Sequence, residues 1–159
     1  MNVGQFRGFV VRPTLYQLGL WSLAAENLLV GTAIHESGGL NYIDQVTGPG
    51  DTTLGPAYGL YQIEEATLND LFDNFLKFRP AMAAGLQALE APMPKRVLQL
   101  VTNLAFATAV ARLIYYRAPD PLPGADDIPG LAACWKKNYN TVAGKGRVED
   151  WIAAYRRLG

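Results

Sequence analysis

The sequence predicts a mainly α domain, a helical bundle around a long central buried helix with a small β or turn-rich insert. Two observations predict this fold class. Residues 23–34 and 95–117 are apolar on nearly all sides, which is typical of helices packed inside a domain. Residues 40–63 instead concentrate Gly and Pro among Tyr, Ile, Val and Thr, which is typical of turns and short strands.

The length and composition favour a single domain over residues 1–159. The chain is 50% hydrophobic, and two domains of this total length would each have an undersized core. Lys plus Arg and Asp plus Glu both number 14, so no net charge favours nucleic acid or a membrane surface. We expect a monomer that binds neither.

The first buried helix is expected from about Ser22, a suitable N-cap, to about Ser37. Gly38 and Gly39 end it, because glycine tolerates the left-handed backbone of a helix end. Glu36 therefore lies in the last turn of a buried helix, where the chain emerges into the turn-rich insert.

Two shorter helices are expected next. Thr67, followed by Asp70, has the pattern of a helix N-terminus. One apolar face follows at helical spacing, formed by Leu68, Leu71, Phe72, Phe75 and Leu76. A shorter helix spans about residues 80–90.

The central helix is expected over residues 95–117, followed by a Pro-rich loop over 118–124. Pro129 suits the first turn of a helix that runs to about Tyr139. A closing helix has an apolar stripe formed by Val148, Trp151, Ile152 and Tyr155.

The single cysteine, Cys134, excludes an internal disulfide and is expected to pack as a small core residue. Residues 1–12 lack the basic start and long apolar stretch of a secretory signal, and no run of about 18 apolar residues predicts a membrane span.

Glu36 is the principal candidate for chemistry. Partial burial at the helix end disfavours the charged form and raises the pKa of a carboxyl group, which suits a general acid near neutral pH. Cleavage of a glycosidic bond requires such a group to protonate the leaving oxygen. The alternative is a helix-end glutamate that caps the helix or forms a salt bridge.

The motifs Glu36-Ser37-Gly38 and Gly59-Leu60-Tyr61-Gln62-Ile63 resemble those of lytic transglycosylases and goose-type lysozymes. Tyr61 stands where Met is usual, and Glu65 where Pro is common. The amino-acid sequences of residues 21–29 and 135–141, together with the Gly-Lys-Gly at 144–146, also resemble those of bacteriophage proteins.

The resemblance implies a lysozyme-like domain that cleaves the β-1,4 bond between N-acetylmuramic acid and N-acetylglucosamine in peptidoglycan. It implies that Glu36 is catalytic and that a cleft beside the insert binds the glycan strand. The implied substrate-binding residues are Ser37, Tyr58, Gly59, Tyr61, Gln62, Asn103, Tyr139 and Asn140.

Physical arguments accompany several of these roles. The amide of Gln62 can donate to and accept from sugar groups, and Tyr58 and Tyr61 can present flat faces to pyranose rings. Tyr139 can hydrogen-bond Glu36 or substrate. Core packing is the alternative for each tyrosine, and for Asn103 it is a buried amide that satisfies helix carbonyl groups.

The presence or absence of a second catalytic carboxylate distinguishes two possible mechanisms, hydrolysis and lytic transglycosylation. A hydrolase usually has one, and Asp44 and Asp51 in the insert are the candidates, although both also suit ordinary turns. A lytic transglycosylase uses one glutamate and forms a 1,6-anhydro ring, and we favour this mechanism over hydrolysis. A wall-binding or virion module that does not cleave glycan is the rival from another class.

No cofactor is expected. His35 beside Glu36 lacks the second histidine of a zinc-protease motif, so no metal site is expected either. The implied partners are peptidoglycan and other phage virion proteins. The implied location is a phage particle or the host cytoplasm, with action on the cell wall in the periplasm.

Overall fold

The fold is mainly α, as the sequence predicts, with one small two-stranded sheet. The computed structural model describes residues 1–45, 48, 50, 53, 55–140 and 144–159. Asp51, one of the two candidate second carboxylates, lies outside the described residues.

Helical structure begins almost at the N-terminus, where the sequence pattern predicted no element. Helix α1 (Val3–Phe6) continues through a π-helical turn (Arg7–Val11) into α2 (Arg12–Gln17). Phe6, Val11 and Leu15 are buried on one side of this segment and anchor it to the core.

Helix α3 (Leu23–Glu36) is the buried helix that carries Glu36. It begins as predicted, because Ser22 Oγ accepts a hydrogen bond from the backbone N–H of Ala25 at 3.1 Å. It ends as predicted, because Gly38 and Gly39 take positive φ angles of 61° and 84°. Residues 25–34 of this helix are all buried.

The small sheet pairs β1 (Ala57–Tyr58) with β2 (Ile63–Glu64) in antiparallel orientation, with Tyr58 opposite Ile63. Helix α4 (Glu65–Asn74) follows directly. It begins two residues before Thr67, so the prediction that Thr67 caps this helix is wrong. Glu64 occupies the N-cap position and makes no side-chain capping bond.

Helix α5 (Pro80–Gln87) corresponds to the predicted shorter helix, after a 3₁₀ turn (Leu76–Phe78). The expected continuous helix over residues 95–117 is wrong. A 3₁₀ turn (Arg96–Leu98) and α6 (Gln99–Thr102) are followed, after a bend of 108° at Asn103, by α7 (Leu104–Tyr116). Helix α7 is the central buried helix of the domain.

The C-terminal part completes the helical layer around α3 and α7. Helix α8 (Ile128–Trp135) has Pro129 in its first turn, as predicted, and continues as a π-helical turn (Lys136–Asn140). Helix α9 (Val148–Leu158) packs against α3 and α8. Trp151 of α9 is fully buried against Gly31, where an added Cβ would come within 2.1 Å of the indole ring.

Among the described residues, no single helix is long and apolar enough to cross a membrane.

Candidate active site

Glu36 lies at the last position of α3, and Ser37 fixes the backbone just beyond it. The Ser37 hydroxyl donates to Ala33 O at 2.6 Å and accepts from the N–H of Leu40 at 2.9 Å. Ser37 is 1% exposed. The Ser37 hydroxyl therefore stabilises the helix end, and the implied substrate-binding role of Ser37 is wrong.

The Glu36 carboxyl group is mostly buried, and its Oε1 accepts a hydrogen bond from Trp135 Nε1 at 2.9 Å. Burial raises its pKa to about 7, and the Trp135 hydrogen bond opposes this rise only in part. Within the described part of the chain, Glu36 forms no salt bridge. The alternative reading of Glu36 as a helix-end ion pair is therefore not supported.

Trp135 is the residue that sequence reasoning missed. It is fully buried at the end of α8, and its indole N–H can donate but cannot accept a proton. The His35 ring lies edge-on against its indole, with the ring centres 4.6 Å apart. The available signal was its spacing, because Trp135 precedes Tyr139 by four residues and thus shares a helix face with it.

Gln62 lies in the turn between β1 and β2 with a positive φ of 48°. Its side-chain amide donates to Gly59 O at 2.8 Å, which holds the turn closed and leaves the amide oxygen to accept from a ligand. Gly59 is required at this turn, because its φ is 75° and an added Cβ would lie 1.9 Å from Leu100 O. Gly59 thus shapes the site through its backbone.

Gln62 borders a cavity of about 270 Å³. The other residues that line it are Ile63, Glu64, Thr67, Ile114, Tyr139 and Asn140. The motif residues at 62 and 139–140, far apart in sequence, therefore border one cavity, as the resemblance implied. Asn140 also accepts a hydrogen bond from Lys136 Nζ at 2.7 Å through its side-chain oxygen.

Tyr139 lines this cavity and interacts electrostatically with Glu36. Its hydroxyl donates to Tyr61 O at 2.7 Å, and its ring stacks on Tyr115 with the centres 5.1 Å apart. Burial raises the pKa of Tyr139, as do the nearby hydroxyl of Tyr115 and the charge of Glu36. Glu36 itself does not line the cavity, and its link to it is this electrostatic effect on Tyr139. Of the two alternatives for the Tyr139 hydroxyl, the hydrogen bond to Glu36 is not formed, and Trp135 donates to Glu36 instead.

The predicted ring contact of Tyr61 with substrate is wrong. Tyr61 is 1% exposed, and its hydroxyl lies 3.2 Å from Thr108 Oγ1 in the core. The residue points inward because the turn at Gly59 directs its side chain toward α7, where its aromatic ring replaces the apolar side chain of the motif. Tyr58 is half-buried and keeps part of its ring accessible.

Asn103 has a structural role. Its Oδ1 accepts from the N–H of Phe106 at 3.0 Å as the N-cap of α7, and its Nδ2 donates to Leu89 O at 2.8 Å. Both ends of the amide are thus engaged by the protein. These contacts do not support a substrate-binding role for Asn103. They support the alternative, in which the amide hydrogen-bonds backbone groups of the protein.

Asp44 also has its carboxylate engaged. Oδ1 accepts from the N–H of Gly59 at 3.1 Å, and Oδ2 accepts from the N–H of Gly55 at 3.2 Å. These bonds tie the start of the insert to the turn that carries Gln62. The structure therefore gives Asp44 the turn-stabilising role that was the alternative to a second carboxylate.

Within the described residues, no group of three His, Cys, Asp or Glu side chains could hold a metal ion.

The fold and site define a mainly α domain with a small cavity bordered by Gln62, Tyr139 and Asn140 and a mostly buried carboxylic acid, Glu36, which is not among the residues that line this cavity. In comparisons with known proteins, no protein-family model, curated protein or solved structure matches the chain.

Proposed function

We propose that this protein is a lysozyme-like enzyme that cleaves the glycan strand of peptidoglycan between N-acetylmuramic acid and N-acetylglucosamine. The observation that supports the proposal best is the state of Glu36. Its pKa of about 7 keeps a substantial fraction of the carboxyl group protonated near neutral pH, and Trp135 donates to one of its oxygens.

The Trp135 hydrogen bond assigns different roles to the two oxygens of Glu36. Oε1 accepts from the indole, so the proton of the neutral acid resides on Oε2 and can pass to a sugar oxygen. A neutral donor such as the indole orients the carboxyl group without stabilising its charged form as strongly as a cation would. This arrangement suits a general acid.

We favour the lytic transglycosylase mechanism. Glu36 donates its proton to the glycosidic oxygen as the bond from that oxygen to C1 of muramic acid breaks, and the muramic N-acetyl oxygen stabilises C1. The Glu36 carboxylate then takes the proton of the C6 hydroxyl as that oxygen bonds to C1. A 1,6-anhydro ring forms, Glu36 regains its proton, and no water is consumed.

The contacts of Asp44 favour a turn-stabilising role over that of a second carboxylate, because both of its carboxylate oxygens already accept backbone hydrogen bonds. A hydrolase usually needs a second carboxylate as nucleophile or base. Glu64, which lines the cavity, is the described carboxylate that hydrolysis would have to use there. The amide oxygen of Gln62 and the side chain of Asn140, which border the same cavity, are the proposed contacts to sugar hydroxyl and N-acetyl groups.

Digestion of purified peptidoglycan followed by mass spectrometry of the fragments tests both points. Anhydro ends support transglycosylation, and fragments heavier by one water indicate hydrolysis. Glu36→Gln should release no fragments while keeping its circular-dichroism spectrum, whereas the exposed-site control Glu65→Gln should behave as wild type. Fragment release by folded Glu36→Gln would refute the proposal, and glycan binding without cleavage by wild type would indicate a binding module.

The resemblance to bacteriophage proteins also suggests where the protein acts. We propose that the protein acts from a phage particle, or from the cytoplasm of an infected host, on the cell wall in the periplasm.

A further inference from the structure

Arg112 on α7 is a buried cation that has no counter-ion among the described residues. The residue is 7% exposed, and its Nε donates to Leu20 O at 3.4 Å. Within the described ranges, no carboxylate pairs with it, and neither Nη1 nor Nη2 has a hydrogen-bond partner. Its guanidinium carbon lies 5.3 Å from the centre of the Tyr116 ring.

The terminal nitrogens of Arg112 face open space. Of the described residues, only Trp151 has a fully enclosed side-chain nitrogen or oxygen that lacks a partner, so the Arg112 nitrogens are not sealed in the core. Arg112 lines a cavity of about 290 Å³, together with Tyr116, Pro119, Asp120, Pro121 and Leu122. Arg112 is therefore part of the wall of a cavity whose lining is both polar and apolar.

This cavity is separate from the one beside Gln62. Tyr115 lines the Arg112 cavity, and its ring stacks on Tyr139, which lines the other. The stacked ring pair thus stands between the two spaces. A ligand in the Arg112 cavity is distinct from the glycan proposed to bind beside Glu36.

A guanidinium that is 7% exposed and lacks a carboxylate partner among the described residues is costly, because arginine stays charged and burial removes most of its hydration. Burial lowers the pKa of Arg112, and only the nearby Tyr116 and Cys134 oppose this effect. An anion placed against Nη1 and Nη2 would replace the lost water with two charge-assisted hydrogen bonds.

We propose that the Arg112 cavity binds a small monocarboxylate. The two carboxylate oxygens accept from Nη1 and Nη2, since Nε is already engaged with Leu20 O, and the apolar part of the ligand packs on Pro119, Pro121 and Leu122. A doubly charged phosphate fits less well, because the one guanidinium supplies one positive charge, and the carboxylate of Asp120, which also lines the cavity, is paired with Lys137. The volume suits a ligand of one ring or a few carbon atoms beyond the carboxylate.

An NMR titration of the ¹⁵N-labelled wild-type protein tests the proposal with phenylacetate and phenylacetamide, which share a shape and differ in charge. Phenylacetate should shift the amide signals of Tyr116, Ala118 and Leu122 saturably, and phenylacetamide should bind at least about tenfold more weakly. Equal affinity of the two, no saturable shift at these amides, or tighter binding of inorganic phosphate would overturn the proposal.

Arg112→Gln should weaken phenylacetate binding at least about tenfold and leave phenylacetamide unaffected. Arg117→Gln is the matched control, because Arg117 follows the same helix and pairs with Asp70 outside the cavity. Unchanged phenylacetate binding by folded Arg112→Gln would refute the proposal. If Arg112→Gln fails to fold, the comparison of the charged and neutral ligands on wild type still decides it.

Discussion

Replacing Glu36 by Gln should remove a pH-dependent part of the free energy of unfolding. Glutamine cannot ionise, and its Oε1 can still accept from Trp135 Nε1 as the Glu36 oxygen does at 2.9 Å. The variant therefore imitates the protonated acid in the folded protein. Wild type and variant should differ only where Glu36 ionises.

The pKa of Glu36 sets the sign and size of the effect. Burial raises this pKa from 4.5 to about 7. Below pH 4.5 the carboxyl group is protonated in both the folded and the unfolded protein. Between pH 4.5 and 7 the unfolded chain ionises freely while the folded chain retains its proton, so wild type loses stability as the pH rises. The loss levels off above pH 7 at about 3 kcal/mol, which partial exposure of the group reduces.

Urea unfolding followed by circular dichroism from pH 4.5 to 8 measures this effect. The Gln variant should match wild type near pH 4.5 and exceed its free energy of unfolding by about 2 to 3 kcal/mol at pH 8. His35 titrates in both proteins, so its contribution cancels in the difference. Glu65→Gln, at an exposed position of α4, is the control for replacing a glutamate by glutamine. Parallel curves for Glu36→Gln and wild type would show that the carboxyl group is not held protonated by burial.

Three further predictions follow from the same contacts. Trp135→Phe removes the hydrogen bond that lowers the pKa of Glu36, so the alkaline limb of the pH–activity profile for kcat/KM should move to higher pH. Glu26→Gln should lower the free energy of unfolding by about 3 kcal/mol at pH 7 and by much less near pH 2, as measured by urea unfolding, because its carboxylate stabilises the fold only while it is ionised. Gly59→Ala should lower Tm by more than about 10 °C because the added Cβ meets a backbone oxygen at 1.9 Å, whereas Gly124→Ala, with open space around it, should leave Tm nearly unchanged in the same calorimetric scan.

The helix that carries Glu36 was predictable because its signals are local. A serine N-cap precedes an apolar run, and two glycines follow it, so each boundary is determined by a few adjacent residues. The placement of Glu36 at the exit of a buried helix follows from those boundaries. The separate motifs at Gln62 and at Tyr139-Asn140 then indicated residues that border one cavity.

The break at Asn103 was not predictable from the same kind of pattern. Apolar residues on both sides of Asn103 have the composition of one continuous helix. The bend is stabilised by a contact distant in sequence, from Asn103 Nδ2 to Leu89 O, as well as by the local cap on Phe106. Asparagine favours N-cap positions, but only the distant carbonyl shows that this one is used.

The inward orientation of Tyr61 also depends on three-dimensional packing. A tyrosine beside a binding motif can present its ring to a ligand or bury it in the core, and the sequence alone is compatible with either orientation of Tyr61. The turn at Gly59 and the hydroxyl of Thr108 select burial. The indole of Trp135 reaches Glu36 from 99 residues away for a similar reason, because the packing of α8 against α3 brings them together.

Glu26 and Glu36 show why residue type alone could not identify the acid. Both lie on α3, and burial acts on both to raise the pKa. At Glu26, hydrogen bonds from Arg12, Trp21 and Arg7 outweigh burial and lower the pKa to about 2, so this carboxylate stays charged. At Glu36, one neutral indole is the hydrogen-bond donor within the described chain, burial dominates, and the pKa rises to about 7. The capacity of this helix to supply a proton at its C-terminal end therefore depends on the absence of a cation there among the described residues, and a cation introduced within hydrogen-bond distance of Glu36 would convert it into a second Glu26.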